Sequence, residues 1–216
     1  MEKIDLDKWP RKSHFEYFEG ADYPYIDLTV QMDITNFFNA VKKSGYKFYP
    51  SLLYAFLKCF NSVEEFKYRI IGNDVVKFDT LDMSTTVPIE GDRFAFCIIK
   101  AHNNIREFLN EAQTVMDKAK KQTELSCDDR FDVVWVTCTP WFSFTSISAP
   151  IVDKKMRSIP LVSVGKYYGS GDKILLPVGL KANHALVDGV HIGKLLEHVQ
   201  SYFDEPGKTF SFDNKT

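Results

Sequence analysis

The sequence has no cysteines paired at metal-binding or redox spacing. Its four, Cys59, Cys97, Cys127 and Cys138, stand singly, which excludes Cys-x-x-Cys chemistry. Cys59 and Cys97 sit inside apolar runs and read as buried free thiols. No apolar run approaches the roughly 20 residues of a membrane span. The first residues, Met-Glu-Lys-Ile-Asp-Leu-Asp, lack the apolar core of a signal peptide, so a cytoplasmic, reduced setting is expected. No linker rich in Pro, Gly or Ser, no charge block, no repeat and no low-complexity tract divides the chain, which reads as one domain over residues 1–216. A formal charge of −2 with mixed signs gives neither nucleic acid nor a membrane surface a basic face to bind. Also missing are the Gly-x-Ser-x-Gly elbow, a phosphate loop and the His-Glu-x-x-His zinc helix, so no metal is expected. Gly169-Ser170-Gly171 has the size of a hairpin turn and is not a dinucleotide fingerprint.

What is abundant is aromatic: 18 Phe and 10 Tyr, enough for a core and for the walls of an apolar pocket. Residues 26–34 alternate as a half-buried strand should. Phe37, Phe38 and Val41 then follow helical spacing up to Ser44-Gly45. Pro50 suits the first turn of a second helix carrying Leu52, Leu53, Phe56 and Phe60. Strands are predicted at 68–71 and 75–78 around the turn signal Gly72-Asn73-Asp74, and at 83–88 and 94–99. Residues 104–121 form the clearest helix. Strands at 133–146 and 161–168 precede a turn at Gly169–Asp172 and a long strand over 173–183. Asp188 can N-cap a last helix with Ile192, Leu195, Leu196, Val199 and Phe203 on its buried face. Helices among mainly antiparallel hairpins give an α+β class with a mixed or antiparallel sheet.

The chemistry concentrates in His184-Ala185-Leu186-Val187-Asp188-Gly189-Val190-His191, where an apolar strand gives way to a helix. A His at a strand end can act as a general base near neutral pH. A lone His there is more often structural. Here a rigid strand precedes it, and small Ala185 and Gly189 allow close approach. His191 reads as helix surface or packing. In Pro140-Trp141-Phe142-Ser143-Phe144-Thr145-Ser146, strand alternation places Phe142, Phe144 and Ser146 on one face. A hydroxyl on an aromatic face can stabilise an oxyanion, while the bland reading is a serine bonding its own backbone. Arg11 either pairs with Asp188 or is a surface arginine whose ion pairs are worth little. His14 reads as structural.

Together these residues resemble the chloramphenicol acetyltransferase family over nearly the whole chain. The motifs are Trp9-x-Arg11-x-x-His14-Phe15-Glu16, Asp33-Ile34-Thr35, Tyr46-Lys47-Phe48-Tyr49-Pro50, Pro140-Trp141 with Phe144 and Ser146, and Gly165-Lys166-Tyr167. Leu175-Leu176-Pro177 and His184-Ala185 with Asp188-Gly189 and His191 complete them. The resemblance implies a two-layer α+β sandwich and an O-acetyltransferase that uses acetyl-CoA. It also implies a homotrimer with active sites between subunits. By carry-over, His184 is the general base, Ser146 the oxyanion donor, and Asp188 with Arg11 the pair that holds the His184 loop. Ser163 stands where the family has a Thr that helps place a water. Lys47, Tyr49, Lys166 and Tyr167 match residues along the CoA channel. Read alone, the two lysines would simply be exposed.

The departures lie on the acceptor side. Phe18 stands where the family commonly has Tyr, with Tyr17 beside it as a partial substitute. Asp22, Pro24 and Ile26 differ in type from the usual pocket lining. Asn183 replaces a His and Val187 a Cys. The expected acceptor is chloramphenicol or a similar small apolar alcohol. A different alcohol, a thiol acceptor on the same fold, and a trimer that only sequesters a ligand remain as alternatives.

Overall fold

The computed structural model describes residues 1–126, 129–151 and 153–208. Cys127 and the polar tail from residue 209 lie outside the described residues.

The elements in chain order are β1 (Glu2–Lys3), α1 (Lys12–Glu19), β2 (Tyr25–Asp33), α2 (Thr35–Ser44), α3 (Phe48–Ser62), β3 (Tyr68–Ile71), β4 (Asp74–Lys77), β5 (Asp82–Ile89) and β6 (Arg93–Ile99). They continue with α4 (Ile105–Ala119), β7 (Val133–Thr139), β8 (Leu161–Gly165), β9 (Tyr168–Ser170), β10 (Lys173–Asn183) and α5 (Gly189–Asp204). A small sheet runs β1-β4-β3, and the main sheet runs β2-β10-β8-β7-β5-β6 with β9 also on β10. β5 with β7 and β7 with β8 are parallel, while the other pairs in the main sheet are antiparallel. The architecture is thus α+β with a mixed sheet, a two-layer sandwich.

The alternation of β10 creates the two faces. Val178, Leu180 and Ala182 point into the core shared with Leu52, Phe56, Phe60, Leu195 and Phe203 of α3 and α5. The intervening Gly179, Lys181 and Asn183 point the other way. That second face carries no helical layer over Gly179. Instead the chain at 144–147 lies directly on the sheet. A Cβ at Gly179 would meet the Ile147 Cγ2 atom, and one at Gly165 would stand 2.7 Å from Pro177 Cγ and 2.8 Å from Phe144 Cε1. Glycine at these two positions is what lets the segment approach.

Most predicted elements occur within a residue or two. The strand expected over 133–146 is shorter, ending at Thr139. Pro140 has no N–H to continue the ladder, and the chain leaves the sheet there. The alternating faces read for Trp141–Ser146 therefore do not exist. The strand expected over 161–168 is broken into β8 and β9. Helix α1 has no signature in the sequence pattern, because in its eight residues Phe15 alone is buried and no period can show. Cys59 and Cys97 are buried free thiols and Cys138 is partly buried.

Candidate active site

His184 follows the last residue of β10. Its backbone N–H donates to Pro24 C=O at 2.8 Å, which fixes the turn to the start of β2. The turn folds around Asn183. Its C=O accepts the Leu186 and Val187 N–H groups, each at 3.1 Å, and its side-chain Oδ1 accepts the Ala185 N–H at 2.9 Å. The Asn183 amide also donates to Arg157 C=O at 3.3 Å, and Arg157 in turn pairs with Glu19 at the end of α1.

The imidazole of His184 is held on three sides. Nδ1 lies 3.1 Å from Val187 C=O. A carbonyl only accepts, so Nδ1 carries the proton and Nε2 presents its lone pair. The Phe18 ring stacks on the imidazole at 3.9 Å between centroids and 12° between planes. Tyr17 meets Phe18 edge-on at 4.9 Å and is 79% exposed. Asp188 Oδ1 is 3.3 Å from Nδ1.

Asp188 occupies the N-cap position of α5, and its carboxylate is gripped by Arg11. Nη1 reaches Oδ2, and Nη2 reaches Oδ1 at 3.2 Å. Of the two readings open for Arg11, the structure shows the pair. The Arg11 guanidinium, more than offsetting partial burial, holds the Asp188 carboxyl below the usual carboxylate range. His14, expected to be structural, is solvent-exposed. His191, read as surface or packing, is 8% exposed, and its Nδ1 accepts the Asp188 N–H at 2.9 Å. Spacing gave no signal of that hydrogen bond, although a polar residue three after an N-cap is a known position for one.

The remaining residues gather elsewhere. Ser146 is exposed in the segment after β7, between Phe144 C=O, which accepts from Gln31 Nε2, and Ile147 N–H, which donates to Thr29 Oγ1 at 3.3 Å. Ser163 is buried on β8 opposite Gly179, on the face the segment covers. Lys166 N–H donates to Phe142 C=O at 2.9 Å, and Tyr167 packs on Phe48 at 5.5 Å and Phe38 at 5.1 Å. The contact between Tyr167 and Phe48 thus brings Lys166-Tyr167 beside Lys47 and Tyr49. Lys47 is exposed at the N-cap of α3, with Nζ on Gln113 Oε1. The Tyr49 hydroxyl bonds Thr85 Oγ1 at 2.6 Å, and burial pushes its pKa up.

Two groups result. One comprises His184, Phe18, Tyr17, Asp188 and Arg11; the other comprises Ser146, Ser163, Lys47, Tyr49, Lys166 and Tyr167. The Ser146 segment is tied to Thr29 and the His184 turn to Pro24, and five residues of strand span about 17 Å. Among the described residues no cluster of three or more His, Cys, Asp or Glu is arranged to hold a metal, and no helix is long and apolar enough to cross a membrane.

Comparison with known proteins gives the family. The family model described as chloramphenicol acetyltransferase matches residues 1–200. A chloramphenicol acetyltransferase of Escherichia coli is 32% identical over 204 residues, covering 94% of this chain and 93% of that protein. A solved chloramphenicol acetyltransferase superposes with a TM-score of 0.88 at 25% identity, covering 94% of this chain and all of that one. A dihydrolipoamide acetyltransferase of Azotobacter vinelandii shares the fold, with a TM-score of 0.68 at 16% identity over 91% of this chain and 88% of that one. The chain belongs to the chloramphenicol acetyltransferase family and is an acyltransferase.

Proposed function

We propose that the protein, acting as a single acetyltransferase domain, moves the acetyl group of acetyl-CoA to a hydroxyl of chloramphenicol or a similar small apolar alcohol, in a site shared between subunits of a homotrimer. The observation that carries this reading is the hydrogen bond of His184 Nδ1 to Val187 C=O. It leaves Nε2 as the free base on a ring whose plane Phe18 fixes. Nε2 takes the acceptor hydroxyl's proton as the oxygen attacks the acetyl carbonyl, and later returns it to the departing thiolate. Acetyl-CoA supplies the activated acyl group as co-substrate. The Ser146 hydroxyl donates to the carbonyl oxygen as it gains charge, a contribution of about 3–4 kcal/mol in comparable sites. Ser163 helps hold a water beside that oxygen.

The group around Tyr167 fits the co-substrate's chemistry. Lys47 and Lys166 present exposed ammonium groups for phosphate, next to the aromatic surface of Phe48 and Tyr167 for the apolar arm. The anchors of the two regions, Thr29 in β2 for the Ser146 segment and Pro24 just before it for the His184 turn, are five residues or about 17 Å apart, which supports assembly: a second copy brings its Ser146 to this His184. Arg11 and Asp188 hold the turn and touch no substrate.

Phe18 favours a second reading of the acceptor. It offers a ring and no hydroxyl, so an alcohol without a polar group at that point would suit the site as well as chloramphenicol does. Thiol release from acetyl-CoA, measured with and without chloramphenicol on wild type and His184→Ala, tests both. Release that depends on chloramphenicol and falls about 10²–10⁴-fold in the variant is expected, with acetyl-CoA binding retained. A variant with near-wild-type turnover would sink the general-base role. Release with other alcohols but not chloramphenicol would keep the chemistry and change the acceptor.

A further inference from the structure

We infer that His191 is a positioning residue for His184, acting through the single peptide group that joins Val187 to Asp188. The inference rests on the reading of His184 as the base. The carbonyl of that peptide accepts from His184 Nδ1 at 3.1 Å. Its N–H donates to His191 Nδ1 at 2.9 Å. The two imidazoles therefore hold opposite ends of one conjugated unit. Their tautomers are opposite as well: His184 carries its proton on Nδ1, whereas His191 must keep Nδ1 bare and carry its proton on Nε2. Nε2 of His191 lies 3.4 Å from Glu65 Oε1.

Electron density moves through the amide in the useful direction. An acceptor on the N–H makes the carbonyl oxygen more negative, and hydrogen bonds in series strengthen one another. The lone pair of His191 thus reinforces Val187 C=O as the partner of the His184 Nδ1 proton. That favours the tautomer with Nε2 bare. The effect reverses when His191 takes a proton. Nδ1 then carries a hydrogen that faces the Asp188 N–H, and the bond is lost.

The surroundings keep His191 neutral. Burial is the largest influence and lowers its pKa, and the nearby cations Arg11 and Lys194 act in the same sense. Glu65 and Asp188 oppose them. The net direction is downward, so the lone pair stays available at neutral pH and disappears only on acidification.

Two substitutions separate this role from packing. His191→Leu removes the acceptor. His191→Gln keeps one, since a glutamine three residues after an N-cap can accept from the N-cap N–H, but it does not titrate. His191→Leu is expected to lower kcat roughly tenfold, the order of one lost hydrogen bond to a functional group, with KM for acetyl-CoA unchanged. His191→Gln is expected to recover most of that loss and to flatten the acid limb of the pH profile. Imidazole nitrogen NMR reads the same point without turnover. His184 is expected to be protonated on Nδ1 in wild type and His191→Gln, and mixed in His191→Leu.

An unchanged His184 tautomer in His191→Leu, or a His191→Gln variant as impaired as the leucine, overturns the inference. Should His191→Leu fail to fold, Glu65→Gln decides. Removing that carboxylate lowers the His191 pKa, so the acid-induced change in the His184 nitrogen signals must move to lower pH; no movement overturns the inference. If no acceptor is ever acetylated, the functional reading fails, while the NMR result still stands or falls by itself.

Discussion

The His184 turn and the Ser146 segment are built in opposite ways. Around His184, nearly every polar group has a partner in the same chain. Pro24, Val187, Asp188 and Phe18 hold the ring and its backbone, and Arg11 and His191 hold Asp188. Around Ser146 the chain has left the sheet, and it is held from outside by Gln31 and Thr29, by Lys166 at Phe142 and by Asp27 at Ser148. Trp141 is 72% exposed and Phe142 54%. A base must have one tautomer and one orientation before substrate arrives, and burial with hydrogen bonds provides that locally. An oxyanion donor must face outward to a reacting group. Under the proposed assembly, the group it faces belongs to another copy.

Co-assembly of His184→Ala with Ser146→Ala breaks the comparison most directly. Each variant alone is expected to be inactive, the serine change costing about 10²–10³ in kcat. If sites are shared between subunits as proposed, mixed trimers would carry some sites with an intact His184 from one subunit and an intact Ser146 from the next, so co-expressed chains should regain activity that neither parent has. Mixtures as inactive as their parents would place both residues in one subunit's site and refute the division. This is the largest effect expected.

Arg11→Ala tests the preorganised side with a smaller effect. Loss of a charge-assisted pair that is only partly buried is expected to cost about 2 kcal/mol of stability, together with a lower kcat, because Asp188 no longer fixes the turn. The pH dependence follows from the depressed Asp188 pKa. Such a carboxylate gives stability that is fully present above its unfolded pKa and is lost as pH falls through the lower folded value. Removing Arg11 raises the folded value toward the unfolded one, so this contribution shrinks and acid unfolding begins at higher pH. Thermal melts across an acid series on wild type, Arg11→Ala and Arg11→Lys would check it. Equal acid midpoints would contradict the pair's role.

The contrast also explains what the sequence could and could not reveal. The His184 turn is written locally: an apolar strand, then an N-cap aspartate and a glycine, within eight residues. The partner of Asp188 is 177 positions away, and nothing local distinguishes Arg11 from a surface arginine. The Ser146 segment misleads because aromatic and hydroxyl residues alternate in it as they would in a strand. The ladder stops at Thr139 because Pro140 cannot extend it, and the segment is then held by glycines at 165 and 179 that lie far along the chain. His191 was legible as a helix residue. Its buried lone pair was not, since that depends on which way the imidazole turns in the folded core.

Gly179→Ala sharpens the comparison with the smallest effect. A methyl group there collides with the Ile147 Cγ2 atom, on a segment outside the sheet that is tied to β2 by few hydrogen bonds. Overpacking of this kind costs about 1–3 kcal/mol where neighbours cannot yield, and the low end is expected here. The displacement carries Ser146, the residue before Ile147, away from its position. It should leave His184 untouched, because β10 keeps its pairing with β2 and its core-facing residues Val178 and Leu180. The variant should therefore lose kcat by a modest factor while its His184 nitrogen signals and acid midpoint match wild type. Altered His184 signals would mean that the two regions are coupled through the sheet, and that their separation within one chain is only spatial.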